Sequence, residues 1–203
     1  MFIREQKGDR CHNTSLGGPM TRWKAPNGFT VIEFCVVLMI GFTITGMAIL
    51  STTGLLPGMR ANEAMRQTVA QLREGRETAS AERRNVQVEF LNNNQIRLER
   101  LDVPTGTTIL STITLDHNCE FYLFGGVPDS PDAFGNNSAV DFGNASKLIF
   151  QTDGTLADSR GNPVSGSIFI GLPDHPETAR VVTVLGATGR VRSYRWTGQQ
   201  WIQ

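Results

Sequence analysis

His12, His117 and His175 are the three histidines of the chain, and the last two follow aspartates, Asp116 and Asp174, in turn-like surroundings. An Asp-His pair can orient an imidazole for general-base work, but a catalytic pair also needs a nucleophile brought close in space. Such a pair in a turn is far more often hydrogen bonding and solvation. Asp129, Asp132 and Asp141 share a Gly/Asn/Asp/Pro-rich stretch, yet lack the one-three-five spacing and closing Glu of a calcium loop, so calcium is a weak reading and no metal ligand set is assigned. Cys11, Cys35 and Cys119 stand far apart with no C-x-x-C spacing, which excludes a zinc motif and leaves a buried free thiol as the expectation for Cys119. These groups predict a protein that is not an enzyme and carries no cofactor.

The arginines are more informative. In Gly189-Arg190-Val191-Arg192-Ser193-Tyr194-Arg195-Trp196, strand alternation puts Arg190, Arg192, Tyr194 and Trp196 on one face, with Val191 and Ser193 on the other. If Val191 packs inward, two guanidiniums and two rings are displayed together. Arg180 lies opposite Arg195 if a Gly186–Gly189 turn closes a hairpin. Guanidinium forks suit phosphates and rings stack on bases, so Arg190, Arg192, Arg195 and Arg180 are candidate DNA contacts. The alternatives are a solvated strand, or a bulge that turns Tyr194 and Trp196 into the core. Charge limits the first reading: the 19 basic and 19 acidic residues cancel, and after a basic first 28 residues the remainder sums to −3. A globally basic nucleic-acid binder is excluded and only a local patch remains.

Several elements must position these groups. Phe34 to Leu56 is a run of 23 residues without a charge, long enough for one membrane helix. Arg22 and Lys24 before it would hold that end in the cytoplasm. Glu33 at its start costs about 2.5–3.5 kcal/mol if it reaches the bilayer centre, and therefore calls for a partner charge. After Pro57-Gly58 the spacing of Ala61, Met65, Val69, Leu72 and Ala79 predicts an amphipathic helix to about Arg83. It either continues the first helix, bent near Pro57, or is separated from it by a hinge at Gly54 to Gly58. Beyond Arg84 the period becomes alternating: Val86 to Phe90 and Gln95 to Leu101 predict a hairpin around Asn92-Asn93-Asn94. Further strands are expected at Thr107–Leu115, Cys119–Phe124, Leu148–Phe150, Ser167–Ile170, Arg180–Leu185 and Arg190–Trp196. Gly125 to Ser146 is expected as a long loop. The fold class is α+β, a long N-terminal helix packed on a C-terminal antiparallel β head, with divisions at 1–28, 29–56, 57–84 and 85–203.

The residues Gly28-Phe29-Thr30-Val31-Ile32-Glu33, behind a basic leader and ahead of an uncharged run, resemble the processing site of the type IV pilin and type II secretion pseudopilin superfamily. The tail half resembles its GspH/FimT branch, through Leu148-Ile149-Phe150 with Asp153-Gly154, Ile168-Phe169-Ile170 and the closing hairpin to Gly189-Arg190-Val191. The resemblance implies that a prepilin peptidase cuts between Gly28 and Phe29 and methylates Phe29. It also implies that Glu33, the fifth mature residue, meets the new ammonium of a neighbouring subunit and sets register during assembly. Partners would then be the peptidase, other pilin or pseudopilin subunits, the membrane through a single span, and, from a Gly-Arg-x-Arg element at 189–192, DNA. The precursor would sit in the inner membrane with its N-terminus cytoplasmic and its head outside. Three roles stay open: a structural subunit of a type IV pilus, a DNA-capturing tip subunit, or a type II secretion pseudopilus component. A membrane-anchored β domain that is never processed is the fourth.

Overall fold

Thr30 starts the first helix. Its Oγ1 accepts the Glu33 backbone N–H at 3.3 Å, one of the donors that a helix start leaves open, and its carbonyl accepts the Phe34 N–H at 3.1 Å as the first bond of the helix itself. The structure, a computed structural model, describes the backbone of residues 28–53 and 56–203 and the side chains of 28–46 and 56–203. The basic leader, Arg22 and Lys24 included, lies outside the described residues. Helix α1 (Val31–Thr53) is exposed at every described side chain, among them Val31 at 82%, Ile32 at 75% and Phe42 at 74%. Among the described residues no helix is long and apolar enough to cross a membrane.

The second helix is α2 (Leu56–Glu82). Pro57 is its second described residue. Gly54, one end of the expected hinge, lies outside the described residues. Strands follow at β1 (Val86–Leu91), β2 (Gln95–Leu101), β3 (Thr107–Thr114), β4 (Glu120–Phe121), β5 (Val140–Asp141), β6 (Leu148–Phe150), β7 (Leu156–Ala157), β8 (Gly166–Gly171), β9 (Arg180–Leu185), β10 (Arg190–Trp196) and β11 (Trp201–Ile202). They form two antiparallel sheets, one in the order β3-β2-β1-β6-β7 and one in the order β11-β10-β9-β8-β4, with β5 also paired to β8. The fold is α+β, as expected. Four strands have two residues each: β4 is a short piece of the strand expected over 119–124, and β5, β7 and β11 are too short to leave a periodic signal.

Helix α2 packs on both sheets and buries Ala61, Ala64, Thr68, Leu72, Gly75 and Ala79. Small residues let the backbones approach: a Cβ on Gly75 would stand 3.1 Å from Leu98 and 3.3 Å from Phe150. The first sheet buries one face only. Val86 and Val88, with Ile96 and Leu98, point to the core, while Glu89 and Arg97 pair at 2.7 Å on the other side. The second sheet differs. All six residues of β8 and the first five of β9 are buried, and both faces are therefore covered. Ile168, Ile170, Val182 and Val184 enter the main core beneath α2, whereas Phe169, Val181 and Tyr194 form a cluster on the far side with Trp201 against it.

Candidate functional site

The far face of the second sheet is where display of arginines and rings was expected, and the hairpin there has the expected register. Strand β9 pairs with β10 without a bulge, setting Arg180 opposite Arg195 and Arg192 opposite Thr183. Val191 packs against the main core. The face is nevertheless not displayed, because the 125–146 loop lies on it. Asp132 in that loop accepts hydrogen bonds from Arg192 Nη1 at 2.5 Å, Thr183 Oγ1 at 2.6 Å and Tyr194 Oη at 3.0 Å. Ser130 and Ser167 hydroxyls meet at 3.2 Å, and Trp201 Nε1 donates to the Pro128 carbonyl at 3.0 Å. Burial raises the Asp132 carboxyl's pKa, but the bonds from Thr183, Tyr194 and Arg192 outweigh that effect and hold it below the usual carboxylate value. Arg192 is thus charge-compensated within the fold, and Tyr194 is buried under the loop.

The remaining arginines are scattered. Arg190 is exposed at the turn end of β10 and borders a shallow depression of about 150 Å³ with Asp132 and Phe134. Arg195 is exposed near the other end. Arg180, expected on the surface, is 3% exposed. Its Nε donates to Asn62 Oδ1 at 2.8 Å, Nη1 to the carbonyls of Ala179 at 2.9 Å and Glu177 at 3.2 Å, and Nη2 to that of Gly58 at 3.4 Å. It fastens the start of α2 to the sheet. Burial, and then the charge of Arg195, push its pKa down to about 10. The structure does not bring the four guanidiniums into one patch.

Gly189, read as part of a Gly-Arg-x-Arg element, has a backbone reason of its own. Its φ is +60°, and a Cβ there would collide with the Gly154 carbonyl oxygen. The loop carboxylates are likewise held by backbone: Asp141 accepts the N–H of Asn137 at 2.8 Å and of Gly143 at 3.0 Å, and Asp129 that of Gly135 at 3.0 Å. Among the described residues no group of three or more His, Cys, Asp or Glu could hold a metal ion. Cys119 is fully buried, and burial pushes its thiol up to about 11. His175 Nδ1 lies 2.9 Å from Glu177 in an exposed pair, and His117 is a positive-φ turn residue.

Two signals in the sequence pointed to parts of this arrangement. The apolar run Ile168-Phe169-Ile170 and the nearly continuous Val181-Val182-Thr183-Val184 mark strands buried on both faces. Thr30-x-x-Glu33 has the spacing of a helix capping box. It gives Glu33 a local role beside its exposed carboxyl, since negative charge in the first turn suits the helix dipole.

No family model and no curated protein matches the chain. Among solved structures it is similar to the Pseudomonas aeruginosa type IV minor pilin FimU, at 16% identity over 70% of this chain and 97% of that one, with a TM-score of 0.46. It is also similar to the minor pseudopilin EpsH from the type 2 secretion system of Vibrio cholerae, at 14% identity over 67% of this chain and 97% of that one, with a TM-score of 0.45.

Proposed function

We propose that this chain is a minor pilin-like subunit, anchored in the inner membrane by α1 and assembled through it into a type IV pilus. The observation that carries the reading is α1 itself. From Val31 to Gly46 its side chains are exposed on all sides and nearly all apolar, and a helix apolar all round is stable only in lipid or among other helices. Glu33 is its one charge. In lipid that carboxylate needs a cation, and an ammonium at Phe29 of an adjacent subunit supplies one once the peptide bond after Gly28 is cut. A carboxylate that can be neutralised only by the next copy gives assembly its register. No step of this mechanism uses a catalytic group of the head. DNA contact is left out of the reading because Arg192 is neutralised by Asp132 and Arg180 is buried.

The test is Gly28→Leu in cells that contain the prepilin peptidase. Retention of a membrane-bound precursor heavier by the 28-residue leader is the expected result, and an unchanged mass would return the chain to an unprocessed anchored domain. Glu33→Ala should be processed yet excluded from filaments. Deletion of the gene separates the machines: loss of surface pili supports the pilus, whereas loss of protein export with pili intact would move the chain to a secretion pseudopilus.

A further inference from the structure

The two sheets end on four strands, and three of these, β4, β7 and β11, have two residues each, whereas the fourth, β3, has eight. Short or charged edges keep a sheet from pairing with another chain, and a long neutral edge invites it. Residues 103–115 carry no charge, and Thr or Ile fills six of the eight positions of β3, the β-branched types that suit a pleated surface. Val103 at 71% and Ile109 at 57% are the most exposed large apolar residues past α2.

The backbone groups of this edge are open in a definite order. Leu115 N–H donates to the Asn94 carbonyl at 2.7 Å, and the same register continues as Thr114 with Gln95 and Ile113 with Ile96. Antiparallel alternation therefore turns the N–H and C=O of Ile113 and Ser111 to β2, and those of Thr112 and Thr114 to the open side. Among the described residues β3 pairs with no strand but β2. One bulge interrupts it: Leu98 faces Ser111 and Glu99 faces Ile109, which leaves Leu110 extra. Residues 111–114 are the regular stretch that remains. They are held before any partner arrives, since Gln71 Nε2 of α2 donates to Ser111 Oγ at 2.5 Å and Ile113 packs against the main core, so little ordering is left to oppose pairing.

We propose that β3 pairs with β3 of a second copy, antiparallel about a two-fold axis within residues 111–114, so that two five-stranded sheets become one of ten strands. Charge selects this occupant. The residues after the leader sum to −3, and two chains of one sign meet at least cost along a face where neither is charged. A parallel, in-register pair would set Asp116, the first charge past β3, against its own copy. An antiparallel pair about any axis in the regular stretch sets it opposite a residue between 106 and 112, all uncharged, and no like charges meet. Pairing also uses up the long end of the sheet. The enlarged sheet ends on β7 at both sides, two residues each, so a two-fold pair closes and association stops at two. The pair is a state of the chain before assembly, and it goes beyond the pilin reading without resting on α1.

The test is sedimentation of the full chain in density-matched detergent over micromolar concentrations, where the parent should reach a dimer. Thr112→Lys puts two like charges on the seam and Thr112→Pro removes an N–H from it, and each should weaken the dimer about tenfold or more. Gln199→Lys makes the same charge change in an exposed bend and should leave the dimer as it was. Thr112→Lys keeps every backbone bond to β2, so the test stands even where the proline variant misfolds. In the parent, exchange of the Thr112 and Thr114 amide protons should slow about tenfold between dilute and concentrated samples. A parent that stays monomeric would overturn the pair, and so would a dimer equally strong in Thr112→Lys, which would put the contact elsewhere, α1 included. Association that grows past two would overturn it in favour of open-ended stacking of edges.

Discussion

Asp132 accepts hydrogen bonds from three side chains of the second sheet, and the direction of its shift fixes how the loop responds to acid. Its pKa in the fold lies below the ordinary 3.8, so the stabilisation is fully present above about pH 4 and is lost as pH falls through the lowered folded value. Between pH 5 and 8 the loop contact is flat with pH. Asp132→Asn weakens the charge-assisted bond to Arg192 and takes away an acceptor from Thr183 and Tyr194, a loss of about 1–3 kcal/mol. The thermal midpoint of the detergent-solubilised chain should fall by about 3–9 °C at pH 7, and the variant should show a shallower decline below pH 4 than the parent. An unchanged midpoint would mean that the apolar contacts of Val127 and Trp201 hold the loop without the carboxylate. Cys119 contributes no reactivity in this picture, since its buried thiol is pushed up to about 11 and stays protonated at neutral pH.

The β9–β10 hairpin is the element on which the head is organised. Its turn closes at Gly189, whose positive φ and contact with the Gly154 carbonyl leave no space for a side chain. Gly189→Val should cost about 3 kcal/mol or more, read as loss of the folded head by near-ultraviolet circular dichroism. Gly198 is a useful comparison, because its φ is +93° but nothing lies within 4 Å of a Cβ there. Gly198→Ala should cost only the backbone strain, about 1 kcal/mol. If the two variants were equally stable, the turn would not be fixing the hairpin. At the helix, Gly75→Leu would force a large side chain between α2 and Leu98 and Phe150, with a loss of about 1–3 kcal/mol.

For the molecule as a whole, the residues after the leader carry a net charge of −3, and the structure adds that the arginines are dispersed or neutralised. The full chain in detergent is therefore expected to show no saturable binding to fluorescent duplex DNA at physiological salt, with Arg190→Ala/Arg192→Ala indistinguishable from the parent. Saturable binding abolished in the double variant would mean that the 125–146 loop leaves the sheet and frees Arg192. Most of the architecture was legible in the sequence because it depends on local periods: the hairpin over 86–101, the strands at 148–150, 180–185 and 190–196, and the amphipathic helix all have repeats of two or about three and a half that one segment reveals by itself. The register of Arg180 against Arg195 followed from turn length. The fate of those arginines did not, since it depends on contacts across 51 to 122 residues of sequence: Asp132 with Thr183 and Arg192, and Gly58 and Asn62 with Arg180. A side chain's direction is set by its own strand, but its exposure is set by whatever else the chain lays on that face. The sequence by itself determined the α+β class, the strand order along the chain and the alternation within each strand. Only the tertiary structure decided that the second sheet is covered on both sides and that one arginine becomes a buried clamp and another the partner of Asp132, because burial and charge compensation are properties of segments that meet in space.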